Sequence, residues 1–163
     1  MNIEIRAYSK NYAAEAVKIW NEVVEEGNAF PQTELLDEAG GHELFSLQSY
    51  TGIAFDVETN EIVGLYILHP NNVGRCGHIC NASYAVRKDM RGRRIGEKLV
   101  THCIEKAKEL GFKILQFNAV VASNHRALRL YEKLGFIRLG VIPRGFLMKD
   151  GTYEDIILHY RLL

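Results

Sequence analysis

The run VRKDMRGRRIG, from Val86 to Gly96, holds five basic residues and two glycines in a chain whose formal net charge is +0. Residues of these types, this close together, are suited to gripping an anion. A helix start offers unpaired N–H groups and the positive end of the helix dipole. Glycine lets a ligand approach the backbone closely. Arginine adds charge-assisted donors. A solvated basic turn has the same composition, so the flanks must decide. Before the run, GRCGHICNASYAV alternates small residues with Tyr84 and Val86, as a strand does. After it, Ile95, Leu99, Cys103, Ala107 and Leu110 form an amphipathic stripe stopped by Gly111. Strand, glycine turn, helix and arginines together predict a phosphate or pyrophosphate site. Neither G-x-x-x-x-G-K-S/T nor G-x-G-x-x-G is present, so it is neither a P-loop nor a Rossmann fingerprint.

Cys76, His78 and Cys80 carry metal-binding side chains. On the extended strand read here, Cys76 and Cys80 lie about 13 Å apart along one face. That is too far for a disulfide or a shared zinc ion, so no metal site is expected. Tyr131 lies on the apolar stripe Ala127, Leu130, Tyr131 and Leu134, where a core tyrosine is as natural as a catalytic one. His78 and Asn81 stand next to the basic run and are equally at home as ordinary strand residues.

These residues need a frame. A chain of 163 residues, 47% hydrophobic and 25% charged, suits a single globular domain, 1–163. Twenty basic and twenty acidic residues give no overall pull towards nucleic acid or an anionic membrane. No signal-peptide pattern or membrane-length apolar run is seen. Three cysteines, an odd number, argue against a disulfide framework and for a reducing compartment. The expected location is the cytoplasm.

NIEIRAY alternates as a strand. Ala13, Ala16, Val17, Trp20 and Val24 follow at helical spacing, with Ser9 or Asn11 as a cap and Gly27 as the stop. Pro31, Gly40 and Gly41 interrupt residues 28–48, leaving HELFSLQ as a short helix. GIAFDVETNEIVGLYIL reads as two strands joined at Glu58–Glu61, followed by the strand CGHICNASYAV. After the helix behind the basic run come the strand ILQFNAVV and a helix capped by Asn124 and closed by Gly135. A final strand pair, FIRLGVI and DIILHYRL, surrounds a Gly/Pro-containing loop. The order β-α-α-β-β-β-α-β-α-β-β predicts an α/β (α+β) fold around one mixed sheet, flanked by about four helices.

RGRRIG, Arg91 to Gly96, resembles the Q/R-x-x-G-x-G/A signature of the GNAT superfamily of acetyl-CoA-dependent N-acetyltransferases. SNHRALRLYEKLGF, Ser123 to Phe136, resembles that family's second motif, Asn-x-x-Ala-x-x-Leu-Tyr-x-x-x-Gly-Phe. The resemblance covers essentially the whole chain. It implies a mostly antiparallel sheet with a splayed strand pair, and acetyl-CoA as co-substrate. Its pyrophosphate would be held by Arg91, Gly92, Arg93, Arg94, Ile95, Gly96 and Glu97. Its pantetheine arm would pair with the strand through Ala85 and Val86, with Asn124 and Tyr131 also beside it. The middle glycine of the signature is Arg94 here, a departure that puts the closeness of cofactor packing in question. GHICNASYAV and QFNAVVASN are similar to a subgroup that includes fungal enzymes acetylating proline analogues. In that subgroup asparagines matching Asn81, Asn118 and Asn124 line the active site. A homodimer is also implied by the family.

The implied reaction is attack of a neutral amine on the thioester carbonyl. An N–H near Val86 would polarise the carbonyl, and Tyr131 would protonate the leaving thiolate. The strand His78–Val86 has no Asp or Glu to serve as base, which leaves His78 as the candidate. Buried amides at Asn81 and Asn118 favour a small polar amine as partner, with His78 beside them. A peptide acetyltransferase and a non-catalytic acyl-CoA sensor remain open alternatives.

Overall fold

The computed structural model describes residues 1–163. The chain runs β1 (Ile3–Ala7), α1 (Ala13–Glu26), α2 (Glu38–Ser46), β2 (Tyr50–Asp56), β3 (Glu61–Pro70), β4 (Ile79–Val86), α3 (Ile95–Glu109), β5 (Ile114–Val121), α4 (His125–Lys133), β6 (Ile137–Leu147) and β7 (Tyr153–Leu162). The element order agrees with the sequence reading. The seven strands form one sheet in the order β1-β2-β3-β4-β5-β7-β6. Every neighbouring pair is antiparallel except β4 and β5.

Strand alternation sends side chains to two cores. On one face β4 contributes Cys80 and Ala82, and β5 contributes Leu115 and Phe117, to a core shared with Leu99, Cys103 and Ala107 of α3 and Leu128 of α4. On the other face Ile53, Leu65, Ile67 and Ala85 pack under Ala16, Val17, Trp20 and Val23 of α1 and Phe45 of α2. Helices therefore cover both faces of β1–β4.

Several local expectations need correction. Residues Lys10–Tyr12 form a 3-10 turn, and Tyr12 precedes α1 with no side-chain cap. Gly40 and Gly41 lie inside α2 rather than interrupting it, because Asp37 caps the helix by accepting from the Gly40 N–H at 2.7 Å. At Gly41 a side chain would collide with Val17, so glycine there serves helix packing. β4 starts at Ile79, and Gly74–Cys76 is a 3-10 turn. Cys76 is exposed on that turn and Cys80 is buried in the sheet, so the two do not share a strand face. Pro143 and Gly145 lie within β6, at a register shift between Ile142 and Phe146, so the proline makes a bulge and not the loop.

Two features of this frame bear on the site. β4 and β5 pair only at Ile79↔Ile114 and Cys80↔Leu115, then part company. β4 stays on β3 as far as Val86, and β5 stays on β7, so a gap opens from Asn81 onward. The tip of the β6–β7 hairpin then reaches back over this gap to the end of α1. The Lys149 N–H donates to Gly27 O at 3.3 Å. Gly27 ends α1 at φ +63°, and a Cβ there would come within 2.7 Å of Lys149 Cβ. α1 packs on β3 and β4, so this contact spans the opening between β4 and β5.

Candidate active site

The gap has a defined polarity. Arg87 N–H donates to Val63 O and Asn71 N–H to Ile79 O, so the odd-numbered residues of β4 turn their backbone groups towards β3. The N–H groups of Ala82, Tyr84 and Val86 therefore turn towards the gap. Asn81 Oδ1 accepts from the Ala82 N–H at 2.8 Å. Tyr84 and Val86 are left to line the gap with open donors. This corrects the expectation for Ala85, whose backbone pairs with Leu65 and whose side chain is buried under α1. It also sets the Tyr84 N–H beside that of Val86 as an open donor along the gap.

Past Val86 the chain passes through the 3-10 turn Lys88–Met90 and enters α3. The first helical bond is from Lys98 N–H to Arg94 O, so the N–H groups of Ile95, Gly96 and Glu97 precede the ladder. Arg94 sits before the helix at φ +62°, ψ 19°. This is the left-handed geometry that glycine adopts freely and arginine only at a cost, so the loop keeps its shape despite the substitution. Gly92 also has positive φ, +80°, and a Cβ there would meet nothing within 4 Å. At Gly96 a Cβ would find only ordinary contacts, with Val86 Cγ2 at 3.9 Å and Leu130 Cδ2 at 4.0 Å. Protein packing does not require either glycine to lack a side chain at the loop surface, and the open space is that of a cradle for an approaching group.

The arginines divide. Arg91 is not a free phosphate grip. Its guanidinium forms a two-pronged pair with Glu26 of α1 at 2.7 and 2.8 Å, and its Nε donates to Val86 O at 3.3 Å. Its side chain ties the loop to α1. Arg93 and Arg94 are exposed and make no ion pair. Glu97 is paired with Lys133 at 2.8 Å, which joins the start of α3 to α4. What Glu97 leaves for a ligand is its amide.

On the α3/α4 face of the gap stand Tyr84, Phe117 and Tyr131. The Tyr131 ring lies 4.5 Å from Phe117, 5.5 Å from Phe136 and 5.8 Å from His159, centroid to centroid. Its hydroxyl makes none of the protein's side-chain hydrogen bonds. Burial pushes the phenol above the ordinary tyrosine range, so it stays protonated. Asn124 caps α4, its Oδ1 accepting from the Ala127 N–H at 3.2 Å. That carbonyl oxygen is committed to the helix, and only the amide nitrogen is left for a ligand.

On the α1 face stand Asn81 and Ser83 of β4 and Gln116 and Asn118 of β5. Asn81 is half-buried rather than buried. Asn118 is exposed instead of buried, and it is occupied. It exchanges hydrogen bonds with Asn71 at 2.7 and 3.3 Å and accepts from Gln116 at 3.0 Å. His78 lies outside β4, exposed, with its carbonyl accepting from Lys113 and Ile114. Sequence reading missed Asn71 and Gln116. The i, i+2 spacing of Gln116 and Asn118 signals a shared strand face, but nothing local links Asn71 to either of them.

The family profile of the acetyltransferase (GNAT) family matches residues 15–136. The chain is 37% identical over 122 residues to N-acetyltransferase aca1 of Schizosaccharomyces pombe, covering 70% of this chain and 58% of that protein. It thus spans little more than half the length of that relative. Its structure superimposes on a GCN5-related N-acetyltransferase from Kribbella flavida with TM-score 0.91 at 27% identity, covering 99% of this chain and 98% of the other. A phosphinothricin acetyltransferase from Sinorhizobium meliloti, solved in complex with AcCoA, shares the fold with TM-score 0.91 at 20% identity, covering 100% and 89%. With the splayed pair, the glycine cradle and the capped α4 in place, the chain belongs to the acetyltransferase (GNAT) family.

Proposed function

We propose that this protein transfers the acetyl group of acetyl-CoA to the amine of a small molecule, an amino acid or an amino-acid analogue, by direct attack. The observation that carries the small-molecule part is the Lys149–Gly27 contact. It closes the top of the gap on the α1 face, which turns an open groove into a bounded mouth. A small amine enters such a mouth, whereas an extended peptide needs a groove open at both ends. Glu22, Glu25, Glu26 and Lys88 border the contact itself, and the neutral amides Asn81, Gln116 and Asn118 further along the α1 face support the same reading, because they recognise polar groups without a fixed charge. Similarity to a fungal N-acetyltransferase fits the resemblance to enzymes acting on proline analogues.

The cofactor fits the cradle. Gly92 and Gly96 leave the backbone approachable, and the amides of Ile95, Gly96 and Glu97 aim a helix start at the diphosphate. The N–H group of Val86 pairs with the pantetheine arm. The Tyr84 N–H, level with Phe117 and Tyr131, donates to the thioester oxygen as charge develops there.

As the amine nitrogen bonds to the carbonyl carbon and the C–S bond breaks, the thiolate forms beside Tyr131. A phenol held above its ordinary range is a weak acid, but it is a strongly placed donor for an anion that is itself desolvated. Tyr131 therefore hydrogen-bonds the developing thiolate and passes it a proton. Burial pushes the thiols of Cys80 and Cys103 up to about 12. Neither is a thiolate nucleophile at neutral pH, which favours direct attack over an acetyl-cysteine route.

The test is a turnover assay with acetyl-CoA, following free thiol, against proline analogues, free amino acids, polyamines and N-terminal peptides. The reading expects turnover with one or more free amino acids or analogues and little with peptides of about ten residues. Turnover on peptides alone would replace it with a peptide acetyltransferase. Acetyl-CoA binding without turnover on any amine would replace it with a sensor.

A further inference from the structure

We propose that His69, at the end of β3, is the general base that deprotonates the acceptor amine. The proposal rests on the acetyl-transfer reading above and supplies a group which that reading lacks. β4 carries no carboxylate, and the nearest sequence candidate, His78, lies outside the strand and exposed.

Register places His69. It is the direct partner of Asn81 in the β3–β4 ladder. Directly paired residues share a sheet face, with Cβ atoms about 5 Å apart. His69 therefore stands on the α1 face beside Asn81, at the level where β4 and β5 separate. Tyr84, whose ring packs on Phe117 and so marks the level of Tyr131, is three strand residues further on, about 10 Å along the axis. Tyr131 is on the opposite face of the same gap. Acid and base thus stand on opposite faces of one gap, the acid on the side where the thiol leaves and the base about 10 Å along it, on the side where the amine enters.

The tautomer suits a base. His69 Nδ1 lies 3.0 Å from the carbonyl oxygen of Pro70. A carbonyl only accepts, so Nδ1 carries the proton and Nε2 of the neutral ring is an acceptor. Nε2 makes no hydrogen bond in the protein, and His69 is half-buried, so the lone pair is open to solvent in the gap. On this face β4 presents Asn81, β5 presents Gln116 and Asn118, and β7 presents Tyr160. The turn between β3 and β4 carries Arg75, Cys76 and His78. None of these forms an ion pair or a hydrogen bond with His69.

The protons balance. The acceptor arrives as an ammonium ion, and His69 Nε2 takes one proton from it through water. The freed electron pair forms the C–N bond. Collapse of the tetrahedral adduct breaks the C–S bond, and Tyr131 gives its proton to the sulfur. The nitrogen loses a second proton as the amide forms. That proton restores Tyr131 through solvent, and His69 releases the first to bulk water. The sum is one amide, one thiol and one proton.

The experiment compares wild type with His69→Gln and His78→Gln on the best amine from the panel, across pH. A matched, weakly basic acceptor of the alkoxyamine class, already neutral at pH 7, is measured alongside. His69→Gln is expected to lower kcat/KM for the basic amine about 100-fold at pH 7, with the KM for acetyl-CoA kept within about threefold. The deficit should close as pH approaches the acceptor's own amine pKa, and it should be small with the alkoxyamine at every pH. A loss equal at all pH values and for both acceptors, or no loss, overturns the proposal. So does a recovery pattern shown by His78→Gln and not by His69→Gln. If wild type turns over peptides alone, the small-amine reading fails and the same pH recovery on the peptide amine judges His69. If wild type acetylates no amine, both fail.

Discussion

The two faces of the gap between β4 and β5 are built from different chemistry. The α3/α4 face presents Tyr84, Phe117 and Tyr131, rings that pack on one another and exclude water. The α1 face presents four neutral amides, Asn71, Asn81, Gln116 and Asn118, with Ser83 and His69. One face suits a thiol that must be protonated as it leaves. The other suits a polar amine that must be deprotonated as it arrives. Strand alternation makes this possible with two short strands, because adjacent residues such as Asn81 and Ala82 serve opposite faces. Substitutions on one face should therefore move cofactor and leaving-group steps, and substitutions on the other should move acceptor steps.

The largest effect is expected at the cofactor end. Gly96→Glu would place a carboxylate where the diphosphate meets α3. Acetyl-CoA affinity should fall at least 100-fold, about 2.7 kcal/mol, by calorimetry. The melting temperature should change little, because the position has room for a side chain. A folded variant with wild-type affinity would remove this cradle from the site.

Tyr131→Phe keeps the ring against Phe117 and removes the hydroxyl. Steady-state kinetics should show kcat lower by about 10- to 100-fold with the acetyl-CoA KM kept, since the proton matters only as the thiolate forms. Wild-type turnover at every pH would make the hydroxyl structural and the α3/α4 face merely apolar.

Asn81→Ala tests the other face. The amine KM should rise about tenfold, the cost of one unpaired polar contact, while acetyl-CoA titration stays near wild type. A change in cofactor affinity of the same size would show that the faces are not separable at this level.

The smallest effect concerns the loop itself. Arg94→Gly relieves a left-handed residue, at about 1–2 kcal/mol, but gives back roughly half of that in unfolded-chain entropy. A net gain of about 0.5–1 kcal/mol corresponds to roughly 1–4 °C in Tm for a domain of this size. If acetyl-CoA binding weakens more than about threefold in the same variant, the Arg94 side chain contacts the cofactor directly.

The cofactor end was legible in the sequence because it is local. Glycines, arginines and a helix start within eleven residues carry their own geometry, as does the Asn124 cap seven residues before Tyr131. Even here the chain hid something. Arg91 looks like a phosphate ligand until Glu26, sixty-five residues earlier, takes its guanidinium.

The acceptor side was not legible, because its residues meet only through register. His69 and Asn81 are paired by an antiparallel ladder, and Asn71 reaches Asn118 across forty-seven residues. Which face of β4 a residue serves also depends on where the strand begins. The sequence reading started it at Cys76, and the structure starts it at Ile79. By itself the sequence determined the element order, the caps and the anion-binding turn, all of which follow from periodicity and backbone stereochemistry within one or two turns of chain. Only the tertiary structure decided where the sheet splits, which backbone N–H groups face the split, and that the hairpin tip at Lys149 closes over it at Gly27. Those depend on hydrogen-bond partners chosen between distant segments, and no short stretch of sequence encodes that choice.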